Sequence, residues 1–364
     1  MKQVLLSGYY GFNNIGDEAV LGGILAGLRT ELPNVRPVVL SADPEGTRQL
    51  HGVDAIPRMD RAVIQAELRH TDLFISGGGS LLQDVTSFRS PLYYLGVLWL
   101  AQRAGVPTMM LAQGVGPLRN PINRFLAKKV LNRLHTITVR DAASAAYLRA
   151  LGVETPPVEV TADPSFLLAP NDSAPLAQWW ESHLPAKRPV IGVAIRHWPG
   201  PRSEERYTAI ADALAALAEH SGAQLLFLPM QYTTDLPIAE EMAGWTPADS
   251  RVLDIPLTAP EMLAAIGRCD FIVAMRLHAL IFAVQRHVPA FGISYDPKVL
   301  DFSLASRLPV PLDWDEVTPE GLTTALRQHW DAREALRAVV TSSAVKLATL
   351  AQWNIARVKE LLGA

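Results

Sequence analysis

Two Rossmann-like α/β halves followed by a helical tail are the architecture that this sequence predicts. The chain of 364 residues is longer than one ordinary core requires, so two domains are expected. Short apolar runs alternate with helical patterns along most of the chain, which is typical of βαβ units and parallel sheets. A stretch rich in prolines and polar residues, 169–187, interrupts this alternation and separates two comparable series.

The predicted elements follow from these runs. In the first series, strands are expected at QVLLSG, VRPVVLSA, LFISGG, TMMLAQG, TITVRD and VEVTAD, with helices near 17–31, 59–69, 90–104, 120–134 and 142–150. In the second, strands are expected at PVIGVAIRH, QLLFLPM, SRVLDI, FIVAMR and PAFGISY, with helices near 204–220, 236–244, 259–267 and 278–286. Helical stretches at 319–330 and 331–362 end the chain.

The predicted domains are 1–168, a linker 169–187, 188–340, and a C-terminal helix 341–364 that could pack back on the first domain. Two such halves predict a bilobed enzyme with its site in the cleft between them.

Composition narrows the class of protein. Apolar residues make up 49% and charged residues 19%, and the net charge of −3 gives no reason to expect a nucleic-acid partner. The single cysteine, Cys269, excludes an intramolecular disulfide and a cysteine-cluster metal site. The apolar run before the first glycines is too short for a signal peptide, so a cytoplasmic protein is expected.

The first strand ends in the loop GYYGFNNIGDE, which has glycines but also aromatics, amides and carboxylates. Aromatic rings stack on sugar faces, and amides and carboxylates bind hydroxyls, so the loop predicts a sugar acceptor site. Its candidate residues are Tyr10, Asn13, Asn14, Asp17 and Glu18. Asp17 or Glu18 could deprotonate a hydroxyl, or the two could simply complement the helix dipole.

The turn SGGGSLLQD offers Gly78, Gly79 and Gln83 to the same acceptor. A triple glycine lets backbone N–H groups approach a ligand at a helix start. A tight turn without a ligand is the other interpretation.

Cations follow strands in both halves. Arg276 and His278 follow FIVA, Lys298 lies in SYDPK, and Arg140 ends TITVR. Arginine binds carboxylate and phosphate through two parallel hydrogen bonds, and histidine exchanges protons near neutral pH. These residues predict a site for a small, highly charged anion, although Arg140 could instead pair with Asp141 and His278 could be structural.

At these residues the chain resembles the polysaccharide pyruvyltransferase family, and within it the CsaB type that acts on cell-surface polymers. The matching segments are GYYGFNNIGDEAVL, ISGGGSLLQDVTS, QGVGP, VRDAASAAYLRALGV, ADPSF, PMQYTTD, AMRLHALIFA and GISYDPKV. The resemblance implies a GT-B-like fold, with two Rossmann-like domains facing across a cleft.

The resemblance also implies a reaction, in which the pyruvyl group of phosphoenolpyruvate joins two hydroxyls of one sugar as a cyclic ketal. The implied acceptor is an N-acetylmannosamine unit of a lipid-linked glycan, whose ketal anchors S-layer homology domains. Arg140, Arg276, Leu277, His278 and Lys298 would contact the donor, with His278 as general acid or base. Neither a metal nor an organic cofactor is implied.

Two other classes remain open. A GT-B glycosyltransferase would hold a nucleotide sugar, with Glu316 or Glu320 available to bind its ribose. A solute-binding protein would share the bilobed plan, although it would normally carry a signal peptide.

The stretch RNPINRFLAKKVLNRLH at 119–135 combines apolar residues at helical spacing with five basic residues and no acid. Such a helix could touch anionic lipid at the inner face of the cytoplasmic membrane. An ordinary crossover helix with a solvated basic face is the alternative.

Overall fold

The computed structural model describes residues 1–85, 87–184, 188–247 and 249–363. Residues 185–187 of the predicted linker and residue 364 of the predicted terminal helix lie outside this part. The chain forms two compact units, Met1–Leu168 with Leu347–Ala364, and Ala169–Lys346, called here the first and second units. No described helix combines the length and apolar character needed to cross a bilayer.

The first unit is a parallel sheet with helices between its strands. Its strands are β1 Lys2–Ser7, β2 Val35–Ser41, β3 Asp54–Pro57, β4 Leu73–Gly77, β5 Thr108–Gln113, β6 Thr136–Val139 and β7 Val158–Val160. Its helices are α1 Ile15–Glu31, α2 Pro44–His51, α3 Arg61–Leu68, α4 Arg89–Arg103, α5 Pro121–Leu131, α6 Ala142–Leu151 and the short 3₁₀ helix Pro164–Leu167.

The strand order of this sheet is β3-β2-β1-β4-β5-β6-β7, so the order reverses between β1 and β4. The register pairs Ser7 with Ser76, which brings the carboxyl ends of these two strands level. Residues of β4 are buried throughout, as expected for a strand covered by helices on both faces. Ligands of open parallel sheets bind at such a switch point.

The second unit repeats the plan. Its strands are β8 Val190–Ala194, β9 Gln224–Phe227, β10 Arg251–Val252, β11 Phe271–Ala274, β12 Ala290–Ser294 and β13 Leu312–Asp313, in the order β10-β9-β8-β11-β12-β13. Its helices are α7 Ala174–His183, α8 Ser203–Ser221, α9 Tyr232–Gly244, α10 Ala259–Ile266, α11 Leu277–Gln285, α12 Pro297–Ser306, the 3₁₀ helix Trp314–Glu316, α13 Pro319–Asp331 and the start of α14 Arg333–Leu362.

Helix α14 begins in the second unit, and its last part belongs to the first. Asn354 lies buried there; its Oδ1 accepts from Thr138 Oγ1 at 2.7 Å and from Thr161 Oγ1 at 2.9 Å. The predicted boundary at residue 341 falls inside this helix, which runs without a break.

The α/β class with two parallel sheets is confirmed. The sequence missed the short strands β3 and β13 and the helices α2, α7 and α12. Helix α7 lies within the stretch predicted as linker, where Ser173 caps a helix that contains two tryptophans. Proline-rich composition concealed it, because Pro175 stands in the first turn, where proline is tolerated.

Candidate functional site

Tyr10 lies in the core of the first unit. Its side chain is 1% exposed, and its hydroxyl donates to the Gly77 carbonyl at 2.9 Å. Burial, with the carboxylates of Asp17 and Glu18 nearby, raises the pKa of this phenol well above its ordinary value. The side chain therefore ties the first loop to β4, and its contact with a sugar stays a prediction.

Glu18 is also an internal anchor of this loop. It is 4% exposed; Oε1 accepts from the backbone N–H of Gly11 at 2.9 Å, and Oε2 lies 2.8 Å from His51 Nε2. Both carboxylate oxygens are therefore used inside the protein. These contacts give Glu18 a structural role in the loop, and its binding of the acceptor stays a prediction.

Three predicted residues of the loop remain near its surface. Asn14 caps α1 by accepting from Gly16 N at 3.1 Å, and exposed Asn13 has a φ of 54°. Asp17 is half-buried in the first turn, and a Cβ added at Gly79 would lie 3.0 Å from its Oδ1. The first loop and the glycine turn are thus adjacent, with Asp17 at their junction.

The glycine turn has a conformation that only glycine takes easily. Gly78 and Gly79 have φ values of 59° and 69°, and a Cβ at Gly78 would fall 1.9 Å from Val20 Cγ1. Gln83 lies further along, where its Oε1 accepts from Val85 N at 2.8 Å. The turn therefore has a steric reason for its glycines, and Gln83 orders the loop after it.

Arg140 is an internal cation of the first unit. Its guanidinium, 7% exposed, lies 3.2 Å from Asp163 Oδ2 through Nη1 and donates from Nη2 to Ser80 Oγ at 2.9 Å. Asp141, which the sequence suggested as a possible partner of Arg140, has its Oδ2 3.9 Å from Arg140 Nε. Its Oδ1 accepts from Ser144 N and so caps α6. Asp163 is therefore the nearer carboxylate.

Arg58 was missed because it follows β3, a strand that the sequence did not predict. Its Cζ lies 4.3 Å from the ring centroid of Tyr93, 5.2 Å from that of Phe12 and 5.4 Å from that of Tyr94. The ring of Phe12 stacks on Tyr9 at 4.0 Å. Arg58 thus joins the aromatic residues of the first loop to those of α4. Burial raises the pKa of Tyr93, and the charge of Arg58 opposes this rise without cancelling it.

In the second unit, Arg276 is the best-oriented of the predicted residues. It stands at the end of β11, where its Nε donates to Asp235 Oδ2 at 2.9 Å and its Nη2 donates to Oδ1. Asp235 is 1% exposed and also accepts from Gln231 N at 2.9 Å. A buried carboxylate in the segment PMQYTTD therefore fixes the orientation of this guanidinium.

Leu277 and His278 form the first turn of α11. The Leu277 side chain is 6% exposed, so any contact with a donor would come from its backbone N–H. Arg276 occupies the N-cap and makes no side-chain cap hydrogen bond, which leaves the turn suited to an anion. His278 is half-buried, with its ring 6.4 Å from that of Phe282.

Tyr295 contacts Lys298 and a further cation, Arg196. Arg196 Nη1 donates to Tyr295 Oη at 3.0 Å, and Lys298 Nζ lies 5.5 Å from the ring centroid and 3.2 Å from Asp296 Oδ2. Burial raises the pKa of Tyr295, but Lys298, Arg196 and Arg276 outweigh it, so that the pKa is lowered overall. Neither Arg196 nor Tyr295 was singled out by the sequence analysis, which placed both within predicted strands.

The second unit therefore gathers three cations at the ends of the adjacent strands β8, β11 and β12. In the first unit, Asp17, Asn13 and the glycine turn occupy the equivalent edge. Across the described residues, no three His, Cys, Asp or Glu side chains group as metal ligands.

Comparison with known proteins identifies the family. Residues 14–297 match the family described as Polysaccharide pyruvyl transferase. A curated relative, the amylovoran biosynthesis protein AmsJ of Erwinia amylovora, is 22% identical over 356 residues, covering 82% of this chain and 84% of the relative. The chain belongs to the polysaccharide pyruvyl transferase family.

Solved structures show the same fold. An S. aureus MnaA–UDP structure superposes with a TM-score of 0.69 at 13% identity, covering 100% of this chain and 97% of the other. UDP-GlcNAc 2-epimerase from Neisseria meningitidis gives a TM-score of 0.65 at 10% identity, covering 99% of this chain and 100% of the other. Anabaena HepE in complex with UDP-glucose gives a TM-score of 0.64 at 11% identity, covering 99% of this chain and 100% of the other. The predicted GT-B-like class is thereby confirmed.

Proposed function

We propose that this member of the polysaccharide pyruvyl transferase family moves the pyruvyl group of phosphoenolpyruvate onto two hydroxyls of one sugar, forming a cyclic ketal and releasing phosphate. The observation that carries this is the position of three cations, Arg196, Arg276 and Lys298, at the ends of the adjacent strands β8, β11 and β12. Phosphoenolpyruvate has a carboxylate and a phosphate on three carbons, and a compact cluster of cations matches this charge.

The proposed chemistry has two steps. A proton is delivered to the methylene carbon of the enol while the first sugar hydroxyl adds to the neighbouring carbon and loses its own proton. The second hydroxyl then attacks the same carbon, the bond from this carbon to the phosphate oxygen breaks, and the hydroxyl proton passes to the departing phosphate as the ketal closes. His278 serves as general acid or base, and Arg276 and Lys298 hold the anionic groups. Arg140 and the backbone of Leu277 are further donor contacts, and neither a metal nor an organic cofactor is needed.

The acceptor is proposed to be an N-acetylmannosamine unit of a lipid-linked glycan precursor, met at the cytoplasmic side of the membrane. Asp17 and Asn13 of the first loop would meet its hydroxyls; the nearness of Gly79 to Asp17 and the exposure of Asn13 support this choice. The family's description names a polysaccharide, which supports a glycan as acceptor. The anionic ketal would then anchor S-layer homology domains.

The experiment is an assay with phosphoenolpyruvate and a synthetic lipid-linked disaccharide, which follows phosphate release and the mass of the product. We expect ketal formation by the wild type and a large loss in His278→Ala. Near-normal turnover in this variant would refute the assigned role of His278. Absence of ketal with wild-type protein across a panel of lipid-linked acceptors would refute the transfer reaction.

A GT-B glycosyltransferase is the second candidate, favoured by similar solved structures that contain UDP or a UDP-sugar. In the structure, Glu316 and Glu320 are both exposed. Glu316 ends the 3₁₀ helix before α13, and Glu320 lies in the first turn of α13. Thermal stabilisation separates the two candidates. Stabilisation by a UDP-sugar and none by phosphoenolpyruvate would favour the glycosyltransferase.

A further inference from the structure

Helix α4 presents a stripe of residues to solvent, with Trp99 at its centre. Trp99 is 40% exposed, and a groove runs along each side of it, one of about 330 Å³ and one of about 280 Å³. Leu92 and Gly96 line both grooves. A Cβ added at Gly96 would meet no atom within 4 Å, so the glycine leaves the surface open.

Helix α5 borders the smaller groove and carries two different apolar faces. Its inner face, with Ala127 and Leu131 fully buried, packs against the core of the first unit. Ile122 and Phe125 lie on another side, 56% and 63% exposed. A crossover helix with an ordinary solvated face would not hold two large apolar side chains in water at adjacent turns.

Basic side chains accompany these exposed apolar groups. Arg103 Cζ lies 5.1 Å from the ring centroid of Trp99, and Lys129 Nζ lies 5.8 Å from that of Phe125. The lining of the two grooves adds three arginines and contains no acid: Arg58, Arg61 and Arg133.

Asp60 and Asp84 are near this surface, and both carboxylates accept hydrogen bonds from backbone N–H groups. Asp60 caps α3 through Ala62 N and Val63 N. Asp84 accepts from Arg119 N at 2.6 Å and Asn120 N at 2.9 Å. These hydrogen bonds lower the pKa of Asp84 although burial opposes them, so the carboxylate stays ionised within the loop before α5. Neither acid lines either groove.

We propose that the face formed by Trp99, Ile122, Phe125, Lys129 and Arg133 docks on an anionic lipid bilayer. Tryptophan and phenylalanine enter the boundary between headgroups and acyl chains, while lysine and arginine stay at the headgroups. Each basic residue near an anionic surface adds binding energy, and the effect is screened by salt.

A second copy of the chain fits this face poorly. In a two-fold dimer the same patch meets itself, so Lys129 and Arg133 would face cations of the partner with no acid in either groove. An anionic bilayer supplies both the apolar interior and the opposite charge. Vesicle binding is separate from pyruvyl transfer, so either can fail while the other stands.

The charge of α5 provides a matched control within one helix. Lys128 Nζ lies 2.6 Å from the Cβ that a side chain at Gly152 would place, on a different side from Lys129. Arg124 is likewise exposed away from the grooves. Lys129→Glu with Arg133→Glu and Lys128→Glu with Arg124→Glu therefore change the net charge equally at different places.

The experiment is sedimentation of the full chain with phosphatidylcholine vesicles, with and without phosphatidylglycerol. We expect binding only to the anionic vesicles, and a loss of about tenfold or more in Lys129→Glu/Arg133→Glu. Ile122→Ser/Phe125→Ser should lose a similar factor, because it removes insertion while keeping the charge. Lys128→Glu/Arg124→Glu should stay within about twofold of the wild type.

Circular dichroism of each variant confirms that it is folded before binding is compared. No binding of wild-type protein to anionic vesicles would overturn the proposal. Equal losses in the two charge-reversed pairs would also overturn it, since net charge alone would then explain binding. A concentration-dependent dimer that Ile122→Ser/Phe125→Ser abolishes, without vesicle binding, would assign the face to a second copy instead.

Discussion

Asp235 holds Arg276 by two points in the second unit, with Arg276 Nε donating to Asp235 Oδ2 at 2.9 Å and Nη2 donating to Oδ1. The carboxylate is almost completely buried and is itself fixed by Gln231 N. Two hydrogen bonds to one carboxylate fix the orientation of a planar guanidinium. The directions of its remaining N–H groups are then fixed as well. Asp235 is therefore a positioning residue for the proposed donor site.

Asp235→Asn keeps the shape of the side chain and removes its charge. We expect the affinity for phosphoenolpyruvate to fall about tenfold or more, since a hydrogen bond to a charged group is worth about 1.5–3 kcal/mol. The melting temperature should fall as well, because breaking a buried ion pair leaves Arg276 uncompensated. Titration calorimetry and thermal unfolding measure the two effects.

Asp172→Asn is the control for this change. Asp172 pairs with Arg268 in the same unit, but its side chain is 60% exposed. Exposed pairs contribute about 0–1 kcal/mol, so both donor affinity and melting temperature should stay near those of the wild type. Equal effects of the two substitutions would show that the burial of Asp235 has no special importance.

Tyr295→Phe tests the phenol among the three cations. Because the folded pKa of Tyr295 is lowered, the phenol adds stability above its unfolded pKa of about 10 and loses it as the pH falls through the folded value. We expect the difference in free energy of unfolding, wild type minus Tyr295→Phe, to increase as the pH rises toward about 10. Denaturant titrations over this range measure it.

Tyr207→Phe should show the opposite trend. Burial raises the pKa of Tyr207, although a hydrogen bond from Trp198 N and the charge of Arg196 oppose it. Its stabilising effect is complete below the unfolded pKa and is lost as the pH rises beyond it. If the two variants change in the same direction, the cation cluster around Tyr295 is not as described.

Most of the fold could be predicted because buried parallel strands are continuous apolar runs, as in Leu73–Gly77 and Phe271–Ala274. Strand β3 could not, since its four residues include an aspartate and a proline and it lies at the sheet edge. Arg58 was missed with it. Local pattern carries no information on an edge strand that has few buried side chains.

The sequence could not show which residues of the first loop turn inward, for a similar reason. Sequence placed Tyr10, Glu18 and Asp17 in one loop, yet only the fold shows that Tyr10 and Glu18 turn inward to the Gly77 carbonyl and the Gly11 N–H. Residue type gives the chemistry that a side chain can perform. Its direction depends on partners far away in the chain, such as His51 for Glu18.

Asp17→Asn and Glu18→Gln should therefore behave differently. Glu18→Gln removes the charge from the buried hydrogen bonds to His51 and Gly11 N, which predicts a fall of about 1.5–3 kcal/mol in the free energy of unfolding. Asp17→Asn should cost less stability than Glu18→Gln and should lower kcat, since Asp17 is only half-buried and is proposed to meet the acceptor. Unfolding curves and acceptor turnover separate the roles, and a fully active Asp17→Asn would remove Asp17 from the site.

Gly78→Ala tests whether the glycine turn is needed for its shape alone. The backbone has a φ of 59°, and the new methyl group would fall 1.9 Å from Val20 Cγ1 on α1. The left-handed conformation costs a residue with a Cβ about 1–2 kcal/mol, and overpacking adds about 1–3 kcal/mol. Gly244→Ala, where an added Cβ meets no atom within 4 Å, should be neutral or slightly stabilising. Chemical unfolding of both variants decides the matter: a Gly78→Ala protein as stable as wild type would mean that the turn shifts freely, and the position of Gly79 against Asp17 would then not be fixed by this contact.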